Sequence, residues 1–164
     1  MEVGLSGSYR RSNLDQENFT DTKSITGSMT YYFYALSAVE LSYTKGLTTV
    51  QTDPSLVTGQ TAKTEFELIG IDLILSLGEK ESLVKPYFKL GAVHVQSKII
   101  IQNSFATDTI EPESGVAPSA GVGVKLALSK QLSVKLGLDC WTSPLSQKPV
   151  EFNYAARSGI SWLF

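Results

Sequence analysis

The chain of 164 residues holds one cysteine, Cys140, and one histidine, His94. A lone cysteine cannot close an internal disulfide, and no Cys/His set has zinc spacing, so neither a disulfide scaffold nor a structural metal site is expected. Charge is also scarce. Asp, Glu, Lys and Arg make up 18% of the residues, with 14 basic against 16 acidic side chains and a net charge of −2. That balance offers no field for nucleic acid, and no basic cluster reads as a phosphate patch. Long apolar runs are missing too. The longest, residues 31–36, is far short of the roughly 20 residues a membrane-crossing helix requires. The first residues, Met-Glu-Val-Gly, carry neither the basic nor the apolar segment of a signal peptide.

What the sequence does have is Ser and Thr (34 together), Gly (13) and aromatics (10%), a mixture that favours strands. Period-2 alternation runs through nearly all of it, with almost no helical periodicity. Val3, Leu5, Gly7 and Tyr9 alternate with polar residues, as do Ile25, Gly27, Met29, Tyr31 and Phe33, and then Val39, Leu41 and Tyr43. Ile69, Ile71, Leu73 and Leu75 form a fourth set, over residues 65–77. Because Phe66 and Leu68 have the opposite parity, a β-bulge is expected near Leu68–Ile69. Phe88, Leu90 and Ala92 form a fifth, over residues 85–97. Val122 to Leu128, Leu132 to Cys140 and Phe152 to Phe164 complete eight strands. At roughly 9–13 residues, each is the length a tilted strand needs to cross hydrocarbon.

The connections alternate in length. Those around 34–36, 78–82 and 129–131 are short, whereas 11–22, 45–63, 98–118 and 143–151 are long and polar. This is an up-and-down meander in one domain, 1–164, with both termini at the short-turn end. Ile99, Ile100 and Ile101 open the third long connection, either extending strand five or forming an apolar contact patch.

Alternation alone does not say which face points inward. A soluble eight-stranded barrel hides its apolar face, whereas a membrane barrel turns it to lipid. The polar face carries Gly70, Gly91, Gly121, Gly123, Gly137 and Gly159 among Ser and isolated charges, which suits a narrow filled lumen. The aromatics also sort by height. Phe33, Tyr34, Tyr87, Phe88, Trp162 and Phe164 fall toward the short turns, and Tyr9, Tyr43, Phe66, Trp141, Phe152 and Tyr154 toward the long loops. Aliphatic residues lie between, as in a band flanked by two interfacial girdles. The expected fold is therefore an all-β, eight-stranded antiparallel up-and-down transmembrane β-barrel; a soluble ligand-binding barrel is the alternative.

The last strand ends on Ile160, Trp162 and Phe164, and resembles the C-terminal assembly signal of Gram-negative outer-membrane barrels. The patches Leu73-Ile-Leu-Ser-Leu-Gly78, Lys85-Pro-Tyr-Phe-Lys-Leu-Gly91 and Gly121-Val-Gly-Val-Lys125 resemble the small eight-stranded OmpW, OmpX and OmpA-barrel group. That resemblance implies a mature chain in the outer membrane, contact with lipids and with the barrel-assembly machinery during insertion, and, from OmpW, a narrow conduit for small or amphipathic solutes.

The charges of the small-residue face are the functional candidates: Glu40, Asp72, Lys89, Lys125, Lys135, Asp139 and Arg157. In so narrow a lumen they should pair across the axis, as a structural plug or as the lining of a solute path. Small outward residues, Gly27, Ala92, Ala156 and Ser158, suggest a barrel–barrel contact on strands eight, one and two, making a homo-oligomer that could enclose lipid. No catalytic residue, cofactor or metal is assigned. His94 could serve a lipid-modifying enzyme, but Ser97 lies on the opposite strand face, so the two form no local dyad.

Overall fold

The structure, a computed structural model, describes residues 1–13, 19–51, 61–78, 82–103, 106–142 and 152–164. Its eight strands are β1 (Glu2–Asn13), β2 (Phe19–Tyr32), β3 (Ser37–Gln51), β4 (Thr61–Ser76), β5 (Val84–Asn103), β6 (Ala106–Ala127), β7 (Leu132–Thr142) and β8 (Phe152–Leu163). Each strand pairs antiparallel with the next, and β1 pairs with β8 from Glu2↔Leu163 to Ser8↔Arg157, closing the barrel in sequence order. Closure leaves no sheet edge, so every strand has a ladder on both sides.

The short connections are built from local hydrogen bonds. After β2, the amides of Phe33 and Tyr34 donate to the Ser37 carbonyl, each at 3.3 Å. Between β6 and β7, the Ser129 hydroxyl accepts from the amides of Gln131 (3.2 Å) and Leu132 (2.9 Å). Gly78, just after β4, has φ +103°, a conformation that suits glycine. The Phe164 amide donates to the Met1 carbonyl at 2.9 Å, so both termini lie at this short-turn end.

The barrel is inverted relative to a soluble one. Glu2, Glu40, Asp72, Lys89 and Asp139 are all less than 10% exposed, whereas Leu5, Ile71, Leu90 and Leu138 are more than half exposed. An apolar outer wall around a charged lumen suits a bilayer as the surrounding solvent. Phe33, Tyr34, Phe88, Trp162 and Phe164 point outward at the short-turn end, and Tyr9, Tyr43, Phe152 and Tyr154 do so toward the other.

Four sequence expectations are corrected. First, Phe66, Trp141 and Tyr87 do not belong to the outer girdles. Phe66 and Trp141 pack inside against Leu68, Val93, Val95 and Ala117, and Tyr87 lies over Gly123 and Gly137 on the lumen face. Second, no bulge occurs at Leu68–Ile69: β4 keeps one register with both neighbours, and the parity change marks an apolar upper lumen. The register shift falls instead between Ser97 and Ile99, in the β5–β6 ladder. Third, 98–118 is no loop. β5 continues to Asn103 and β6 begins at Ala106, and the two pair as far as Asn103↔Ala106. Ile99, Ile100 and Ile101 thus lie on β5; their side chains, like residues 143–151, fall outside the described residues. Fourth, β3 and β4 likewise reach into 45–63, to Gln51 and from Thr61, as β1 and β2 reach into 11–22, to Asn13 and from Phe19.

Candidate functional site: the ion-paired lumen

The hairpin registers bring the charged side chains together. Glu40 and Asp72 are direct partners across β3 and β4, on the face opposite the lipid-facing Leu41 and Ile71. Lys89, two residues from the Asp72↔Gly91 pair on β5 and on the same face, reaches three carboxylates: Asp139 at 2.9 Å, and Glu40 and Asp72 at 3.7 Å each. Arg157 on β8 takes the other Asp139 oxygen at 3.1 Å. Ser119 donates to Asp72 at 2.7 Å and Thr30 to Glu40 at 3.1 Å.

A second layer lies nearer the short turns. Lys135 bridges Glu40 (3.3 Å) and Glu2 (2.8 Å), Lys125 also pairs with Glu2, and the Tyr32 hydroxyl donates to Glu2 at 2.7 Å. Four carboxylates and four cations therefore form one connected network with no net charge. All seven sequence candidates lie in it. Glu2 and Tyr32 were missed. Glu2 has the polar-face parity but stands at the chain end, and Tyr32 is hidden in the apolar run 31–36; counting parity forward from Thr30 puts it in the lumen.

The network fills the lumen. The cavities within it hold only about 40 Å³ on the short-turn side and about 30 Å³ on the other. Toward the long-loop end the lumen opens into a cavity of about 240 Å³. Here β1–β3 supply hydroxyls, with Thr22 and Thr48 paired at 3.1 Å and Ser8 and Ser24 at 2.7 Å, while β4, β5 and β7 supply apolar side chains.

The remaining candidates lie on the outside. Gly27, Ala156 and Ser158 face outward on β2 and β8; outward Gly7 on β1 is the direct partner of Ser158, Gly27 pairs with Leu5, and nothing stands within 4 Å of a Cβ built at Gly27. Ala92, on β5, belongs to the opposite wall and not to that patch. His94 faces outward between Ile69 and Val116, whereas Ser97 has the lumen parity. Cys140 shares the outward parity of Leu138. Ile160, Trp162 and Phe164 are all exposed along the outer face of the chain end. Among the described residues, no group of three or more His, Cys, Asp or Glu is placed to hold a metal ion.

These features together define an eight-stranded transmembrane β-barrel of the outer-membrane type. Solved structures share the architecture over nearly the full chain. The N-terminal β-barrel domain of Pseudomonas aeruginosa OprF superposes with a TM-score of 0.64 at 18% identity, covering 98% of this chain and 96% of that one. Neisserial surface protein A (NspA) gives 0.65 at 16% identity, covering 99% and 96%. The outer membrane protein OprG of Pseudomonas aeruginosa gives 0.63 at 13% identity, covering 98% and 94%. No protein-family model matches the chain, and no curated protein sequence does. At these identities the likeness establishes the fold, that of the small eight-stranded outer-membrane barrels. In Gram-negative bacteria the outer membrane is the bilayer that holds such barrels.

Proposed function

We propose that the chain is a sealed, non-enzymatic outer-membrane scaffold that acts through its outer wall and its long-loop end and does not pass solutes. The observation that carries this reading is the neutral ion-pair network across the lumen. Its members neutralise one another where the barrel is narrowest, and a solute would have to separate pairs with little water to replace them. His94 faces outward while Ser97 has the lumen parity, so the two form no dyad on β5, which supports a non-enzymatic role.

The wall supports assembly with a second copy. Gly7, Ala156 and Ser158 form a patch of small side chains on β8 and β1, with Gly27 of β2 beside Leu5, where another barrel wall can approach closely. Beside it an outer trough of about 770 Å³, floored by Val122, Leu136, Leu138 and Ala156, has the apolar lining and the size to hold a lipid acyl chain.

Two measurements test the reading. In planar bilayers the purified protein should show no steady conductance; a steady conductance altered by Lys89→Ala or Arg157→Ala would replace the scaffold with the narrow conduit. Cross-linking in native membranes should trap a discrete multimer that Ser158→Phe diminishes, and native mass spectrometry should find lipid bound to it. Recovery of monomer alone would end the homo-oligomer reading.

A further inference from the structure

We infer that the cavity at the long-loop end of the lumen is a binding site for a small carboxylate with an apolar body, such as an arylalkanoic acid. The inference is independent of the barrel–barrel contact. The cavity of about 240 Å³ stands above the ionic layer and has two chemically different flanks. On one side Phe66, Leu68, Val95 and Trp141 present an apolar surface continuous with the buried cluster of β4–β6. An apolar cavity of roughly 150 Å³ takes a benzene ring, so this one has room for a ring with a short side chain.

The opposite flank is lined by hydroxyls, Thr22, Thr44 and Thr48 among them. Thr22 is paired with Thr48 at 3.1 Å. In such a pair one hydroxyl donates and the other keeps a free proton, which leaves a donor for a ligand oxygen.

Charge selects the head group. Among the described residues lining this cavity, Arg157 is the one charged side chain. Its Nη2 stands 3.1 Å from Asp139 Oδ2 as an ion pair, and its buried Nε has no hydrogen-bond partner among the described residues, so the terminal nitrogens are the donors a ligand can reach. A guanidinium has five donors, so Arg157 has capacity beyond Asp139, and a carboxylate is the anion whose planar shape matches its fork. An apolar flank, a hydroxyl flank and a cationic floor define an amphipathic acid lying with its carboxylate toward the ionic layer. The ring then stacks between Phe66 and Trp141, where offset and edge-to-face contacts are favourable.

Trp141 reports on the site. The chain has two tryptophans, and the other, Trp162, lies on the outer wall at the far end. In Trp162→Phe protein folded into dilauroylphosphatidylcholine vesicles, 3-phenylpropanoate should shift Trp141 emission saturably. It should bind about tenfold more tightly than 3-phenylpropan-1-ol, the margin of one charge-assisted hydrogen bond. Arg157→Gln should erase that margin while leaving binding of the alcohol. Val95→Phe, which fills the cavity away from the ionic layer, should abolish saturation for both probes and keeps the test decisive if Arg157→Gln does not fold. A response rising linearly with probe concentration, equal affinity for acid and alcohol, or unaltered binding to Val95→Phe would each overturn the inference.

Discussion

Lys89 on β5 and Asp139 on β7 meet at 2.9 Å although β6 lies between their strands. Gly121 on that intervening strand makes the contact possible. The Lys89 stem crosses directly over it, with Cε and Cγ at 2.8 and 2.9 Å from where a Cβ would stand. Glycine here is a gap in the wall, through which one long side chain passes its neighbour and reaches a second strand.

Gly121→Val should push the Lys89 stem off the wall and weaken its contact with Asp139. Overpacking of this kind costs about 1–3 kcal/mol. Urea unfolding in phospholipid vesicles should show a lower midpoint with the slope unchanged, and a midpoint equal to wild type would remove the gap from the account.

Lys89 is the shared counter-charge of Glu40, Asp72 and Asp139. Lys89→Met leaves those carboxylates in excess inside the barrel, which should cost about 3–5 kcal/mol, as for a broken buried pair. Lys89→Arg keeps the charge and should cost less. Comparing the two variants in the same unfolding assay separates loss of charge from loss of fit.

The outer wall should respond according to depth. Ile71 pairs with Leu41 and Ala92 in the middle of the apolar band, so Ile71→Arg should cost about 2–4 kcal/mol. Leu47 also faces outward but lies farther toward the long-loop end, where Leu47→Arg should cost at most about 1 kcal/mol. Equal costs at the two sites would argue against lipid around this wall.

Phe164 is 76% exposed, and its backbone joins the barrel through the hydrogen bond its N–H donates to the Met1 carbonyl. Phe164→Ala should therefore leave the stability of refolded protein nearly unchanged while lowering the amount inserted in cells. Quantitative immunoblotting of outer membranes against in vitro refolding yield checks this. A parallel fall in both would make the residue structural instead of a recognition signal.

Much of this architecture was readable because chemistry and parity agree through the membrane band. Between Leu41 and Ile71 on one face, and Glu40 and Asp72 on the other, polarity alone separates lipid from lumen. The agreement fails toward the long-loop end. There the lumen itself is apolar, so Phe66 and Trp141 read as wall residues until parity is counted down to Asp72 and Asp139. It fails again along 106–118, where Thr, Asp, Glu and Pro show no alternation, yet the backbone continues as β6. Residues 114–118 belong to the membrane band, where Pro118 pairs with Ala92; it is over 106–113 that the strand has no lipid face, and the signal that marks it elsewhere is absent. The network's members could be named from their face, but not their pairing, because that depends on long stems crossing over glycines.

The eight side chains that close the lumen sum to zero charge, which also decides how the barrel responds to voltage. Moving one elementary charge across the whole field does about 2.3 kcal/mol of work per 100 mV. A neutral cluster displaced as a unit takes up none of it. An applied potential can only stretch individual pairs against one another, so this network carries no net gating charge for voltage to move.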